Sequence, residues 1–142
     1  MHLRILLALV ALALTFSLGC SREDRLPAVQ ATLAMMGEPE TDLDHAAVEL
    51  VRVRLTLDAY TAEGMDDPAA HDEFETLQLR SDQLHELTGV QPGADPAAVR
   101  TALAAGSAFG ADGTFTGDRA ALFDALSSSE LACERAWSHY NR

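Results

Sequence analysis

The 142-residue sequence predicts an all-α fold, a small up-down bundle of four to five helices preceded by a cleaved signal helix. Three observations predict it. Leu43, Ala46, Leu50, Val53, Leu57 and Tyr60 recur at spacings of three and four, one apolar stripe on a long helix. Asp-Pro-Ala-Ala occurs at Asp67 and again at Asp95, each time an N-cap followed by Pro where a missing N–H is harmless. No convincing set of strands accompanies them. The best rival, Val51 to Leu57, alternates like a strand and carries β-favouring Val, but it lies wholly inside the longer helical stripe.

At the start of the chain, Arg4 precedes a charge-free apolar run from Ile5 to Leu18. About 14 residues fall short of the ~20 that cross a bilayer, whereas a basic start, a short apolar core and a small-residue exit mark a secretory signal. The exit, Ser17-Leu18-Gly19-Cys20, resembles the lipobox of bacterial lipoproteins, with Ser17 at the place usually held by Leu. That resemblance implies cleavage before Cys20, diacylation of its thiol and a membrane anchor. Two or three acyl chains hold stably where one does not. Because Ser21 is not Asp, enteric-type sorting implies the outer membrane, with the protein facing the periplasm. The same bond suits an ordinary signal peptidase, which would leave a soluble periplasmic or secreted protein. Residues 1–19 are thus expected as signal, 20–25 as a charged tether, and 26–142 as one helical domain.

The first helix of that domain is expected over Leu26 to Met36, with Pro27 near its start, until Gly37 and Pro39 break it. Thr41 caps the second, whose first turn carries Asp42 and Asp44, and Gly64 ends it. The third runs from Asp67-Pro68 to Gly89, burying Phe74, Leu77, Leu84 and Leu87. Gln91-Pro92-Gly93 turns the chain into the fourth, which is expected to carry Val99, Leu103 and Phe109. The last begins near Asp118 and presents Leu122, Leu126, Cys133, Trp137 and Tyr140. Within it, Ser127 and Glu130 have capping-box spacing, a place where the helix can break.

Net charge is −12, and no Lys occurs. Nucleic acid, whose phosphates need a basic face, is excluded as a partner. The domain's own surface is equally unsuited to anionic lipid. The two cysteines are Cys20 and Cys133. With Cys20 acylated, Cys133 is a small buried hydrophobe; without acylation, a Cys20–Cys133 bridge is open to an exported protein.

Strict up-down order gathers the end of helix one, the start of helix two and the ends of helices three and five at one pole. His45, His85 and His139, with Met35, Met36, Asp44 and Glu86, would then be candidate ligands for a transition metal. Asp82 and His85 share the i, i+3 spacing of half a di-iron site. The tail from Cys133 to Tyr140 faintly resembles the last helix of c-prime-type haem cytochromes, but Ala136 and Trp137 stand where the second Cys and the His would be. Asp112-Gly113-Thr114-Phe115 looks like half of a calcium loop, yet Ala108, Gly110 and Arg119 hold ligand places. The better reading is a tight turn, with Phe115 tucked inward and Thr116 or Asp118 as the next cap.

No nucleophile elbow, zinc-protease signature, phosphate loop or dinucleotide fingerprint is present. The expectation is a non-catalytic envelope module without cofactor, held to the membrane through Cys20 and binding a protein or small partner. The alternative is a metal- or haem-binding bundle using the three histidines.

Overall fold

The computed structural model describes residues 21–64 and 67–142. The signal segment and Cys20 lie outside the described residues. Among the described residues five helices follow in order: α1 (Arg22–Met35), α2 (Asp42–Glu63), α3 (Pro68–Thr88), α4 (Pro96–Ala105) and α5 (Arg119–Tyr140). Among the described residues the β-type pairing is a single isolated bridge, Phe109 to Phe115. The same residues include no helix long and apolar enough to cross a membrane.

The caps that define the helices are those the sequence encodes. Thr41 Oγ1 accepts the Asp44 N–H, and Asp44 Oδ2 accepts the Thr41 N–H, a reciprocal box that satisfies two otherwise orphan donors. Asp67, Asp95 and Asp118 each accept the backbone N–H two residues on. Gly89 closes α3 in the left-handed region, φ +73°, at no steric cost. The Val51–Leu57 segment is helical, as the longer stripe requires.

α2 is the central element and packs against each of the other four. Leu50, Leu77, Leu84, Leu103 and Leu122, drawn from α2 to α5, are fully buried together. α2 and α5 run parallel. Asp42 meets Arg119 at one end, and the Tyr60 hydroxyl donates to the Ala136 carbonyl toward the other. α3 is antiparallel to α5, since its cap Asp67 meets His139 near the end of α5.

Two expectations change, and one point left open by the sequence is decided. α1 begins at Arg22, so residues 22–25 are its first turn, and Pro27 lies inside the helix. Arg22 donates to the Tyr140 carbonyl, and Arg25 Nη1 sits 2.8 Å from Glu63 and 2.9 Å from the Tyr140 hydroxyl. Guanidinium groups at the open carbonyl end of α5 are favourable, so the stretch expected as a tether is docked.

α4 stops at Ala105, short of Phe109. The Asp112-Gly113 turn bends the chain back so that Phe109 and Phe115 pack ring to ring at 5.4 Å. Ten residues of helix span roughly 15 Å, about half of what α2 covers. The 106–118 loop then docks on the start of α2: the Leu43 N–H donates to the Gly113 carbonyl at 2.9 Å, and the Phe115 N–H donates to Asp42 at 2.9 Å. α5 therefore starts where α2 starts, and the strict alternation of five helices fails.

α5, finally, passes unbroken through Ser127 to Glu130. Leu126, Ser129, Ala132 and Cys133 continue one buried face across that point, and a break would expose it.

Candidate functional site

Along α2, Ala46, Glu49, Leu50 and Val53 share the inward face, so the helix carries a carboxylate into apolar surroundings. Glu49 is 5 % exposed. Its Oε1 lies 2.6 Å from Arg52 Nη1, and the same nitrogen is 3.3 Å from Glu130 Oε1 on α5. Among the described residues, Glu49 Oε2 has no hydrogen-bond partner, nor has the Ser129 hydroxyl. Ser129 stands near enough to favour the ionised carboxylate, but the two do not meet at hydrogen-bonding geometry.

Burial pushes Glu49 up from 4.5 to about 7; Arg52 opposes the rise, and Glu130 and Glu134 add to it. The desolvation of a half-paired carboxylate outweighs one guanidinium contact.

One turn further along α2, Thr56 Oγ1 donates to the Arg52 carbonyl at 2.8 Å and accepts the Trp137 indole N–H at 3.0 Å. Both side chains are thereby satisfied in the core. Cys133 is 1 % exposed beside them. Burial, then the Glu49 charge, pushes its thiol up to about 12. A thiol so disfavoured as thiolate is not a nucleophile.

Two cavities flank the Arg52–Glu130 pair, which lines both. A groove of about 460 Å³ runs between α1 and α5 over Leu26, Val29, Leu33, Cys133 and Trp137. On the other side, a pocket of about 310 Å³ is lined by His45, Val48, Glu49, Phe123 and Leu126. The seam has the character of a binding site, with apolar walls and a few convergent charges. Its chemistry near neutral pH is the gain or loss of one proton at Glu49.

The histidine pole does not form. His45 packs edge-on against Phe123 at 5.5 Å. His85 Nδ1 lies 3.0 Å from the Gln91 amide. His139 Nε2 lies 2.8 Å from Asp67 at the opposite end of α3, roughly 27 Å from His85 along the helix. The parallel run of α2 and α5 separates His139 from the other two. Met36 is buried, Met35 is exposed, and Asp44 is spent on the α2 cap. Among the described residues no group of three His, Cys, Asp or Glu side chains is placed to hold a metal ion.

Ala136 is buried and Trp137 is bonded to Thr56, so the haem-like tail is core. The calcium-like segment is a turn: Asp112 Oδ1 accepts the Thr114 N–H at 3.0 Å, Gly113 takes φ +81°, Phe115 is buried and Asp118 caps α5.

Glu49, Arg52 and Ser129 escape a motif search because each is an ordinary residue on its own helix. The available signal is Glu49 itself, three residues after Ala46 and four before Val53, a carboxylate set in an apolar stripe with Arg one turn on.

No protein-family model matches the chain, and neither a curated protein nor a solved structure matches it significantly.

Proposed function

We propose that the chain is a non-catalytic binding module of the bacterial envelope, anchored through an acylated Cys20. The observation that carries the binding part is the groove between α1 and α5, about 460 Å³ with apolar floor residues and Arg52 and Glu130 at its edge. Grooves of that size and lining accommodate ligands or anchoring side chains of a partner. Cys133, the thiol beneath the groove, is held protonated by burial, which favours holding over covalent chemistry.

The anchor rests on the lipobox-like Ser17-Leu18-Gly19-Cys20. With Arg22 already in α1, Ser21 alone would separate the acylated residue from the fold. The pole bearing Arg22, Glu63, Asp67 and His139 would then be held close to the bilayer, in the outer membrane on the periplasmic side. The partner on this reading is an envelope protein or a small molecule.

Cys20→Ser tests the anchor. The intact protein should carry the mass of added acyl chains and partition with membranes, and the variant should lose both. An unchanged mass and partition would remove it. A photoreactive residue at exposed Gln30, on the groove, should give a discrete adduct in envelope preparations that one at Asp82 does not. Equal labelling from both positions would remove the groove as the binding surface.

A further inference from the structure

The groove between α1 and α5 has a direction. Arg22 at the start of α1 donates to the Tyr140 carbonyl at the end of α5, so the two helices run antiparallel. Beyond that contact α1 packs on α2, and the groove lies open between α1 and α5. Leu26 and Trp137 stand at the mouth nearest Ser21, Val29 and Cys133 in the middle, and Leu33 at the far end, beside the Arg52–Glu130 pair.

The space is long and narrow. Along α1, Leu26 to Leu33 covers roughly 10 Å, and along α5, Glu130 to Asn141 covers roughly 16 Å. Its volume, about 460 Å³, equals roughly fifteen waters at ~30 Å³ each. A methylene takes up nearly the same space as a water, so one long acyl chain fills the groove and two do not.

The described chain begins where the groove opens. α1 starts at Arg22, and Leu26 lies six residues on from Cys20. A lipid on the Cys20 thiol is therefore tied at the mouth, where tethering gives it an effective concentration on the order of millimolar, above that of any free lipid.

We infer that, away from a membrane, this groove is filled by one acyl chain of the protein's own Cys20, which occludes it until the protein reaches a bilayer. The inference rests on the lipid-anchor reading and names what competes with the partner for the groove. In water the chain's methylenes are covered by Leu26, Val29, Leu33 and Trp137. The groove is open and edged by Arg52, Glu130 and Glu134, so that cover is incomplete, whereas a bilayer covers every methylene. Contact with a membrane then draws the chain out and frees the groove for an envelope partner.

The test uses the intact acylated protein with a photoreactive residue at Gln30, in detergent-free buffer and on phosphatidylethanolamine–phosphatidylglycerol vesicles. Irradiation in buffer should join Gln30 to the lipid of Cys20, and on vesicles that link should largely disappear. A mixture of isotopically light and heavy protein shows whether the link lies within one chain. The same residue at exposed Asp82 should give no link in either state. Trp137, the single tryptophan, supplies a second readout. In Cys20→Ser, dibrominated palmitate should quench its fluorescence with one site per chain, because bromine quenches indole at contact. The acylated protein in the same buffer should resist that quenching. Gln30→Phe, at an exposed position on the groove, narrows it and should weaken the quenching of Cys20→Ser at least about fivefold.

A Cys20 of unmodified mass removes the anchor and this inference together. With Cys20 acylated, the absence of a Gln30 link in buffer, a link that persists on vesicles, or equal quenching of the acylated and Cys20→Ser proteins overturns the inference and leaves the anchor standing. Links between chains instead of within one also overturn it, and give the groove to the lipid of a second copy.

Discussion

Replacing Glu49 by Gln should make the protein more stable at alkaline pH and leave it nearly unchanged in acid. Glu49 titrates at about 7 in the folded protein, against an ordinary 4.5. At ~1.36 kcal/mol per pH decade, that interval corresponds to about 3 kcal/mol. Below pH 4.5 the group is protonated in both folded and unfolded chains, and the stability associated with its neutral form is fully present. Between 4.5 and 7 the folded form keeps a proton that the unfolded chain has released, so stability falls as pH rises; above 7 the loss is complete. Gln keeps the shape and cannot titrate. Asp42 and Asp44, held below the ordinary carboxylate range, impose the opposite trend at low pH. Both remain in the variant, so their contribution cancels in the difference. Urea unfolding of wild type and Glu49→Gln from pH 4 to pH 8.5 should show the variant gaining about 3 kcal/mol relative to wild type, nearly all of it between pH 4.5 and 7.5. A difference that stays flat across this range would refute the argument that burial, and not the Arg52 contact, governs Glu49.

Thr56→Val, close in volume, leaves the Trp137 indole N–H buried without its acceptor and should cost about 1–3 kcal/mol in urea unfolding. Gly113→Ala should destabilise more than Gly89→Ala. Both glycines sit at positive φ, but a Cβ at Gly113 would lie 2.8 Å from the Thr41 side chain, whereas at Gly89 it meets nothing within 4 Å. The left-handed penalty, ~1–2 kcal/mol, is common to both. Loss of the Thr41 cap, ~1 kcal/mol, falls on Gly113 alone, and equal thermal shifts would contradict it. In a Cys20→Ser background, Cys133 should resist iodoacetamide at pH 8 in the folded state and react promptly in urea, as a thiol at about 12 requires. Rapid native labelling would show that the α2–α5 seam opens.

The helices were legible because their signals are local. Apolar residues at spacings of three and four bury one face, and Thr41, Asp67 and Asp95 satisfy the first N–H groups of the helix each precedes. Where tertiary contact competed, local reading fell short. Arg22 and Arg25 find carbonyl and carboxylate partners on α2 and α5, so α1 extends back over the expected tether and past Pro27. The capping-box spacing at Ser127 is overridden by the continuous buried face of α5.

The candidate site was hardly legible. Which groups meet depends on helix direction, and direction turned on α4 being too short to cross the bundle and on the Gly113 turn hydrogen-bonded to Leu43. With α5 parallel to α2, His139 goes to Asp67 and the histidine pole dissolves. The same arrangement brings Ser129 and Glu130 over Glu49 and Arg52, a pairing across some eighty residues of chain that no spacing in the sequence encodes. By itself the sequence determined the helices, their caps and the acidic character, because those follow from neighbours along the chain. Only the tertiary structure decided which carboxylate lost its water, because desolvation is a property of what packs against it.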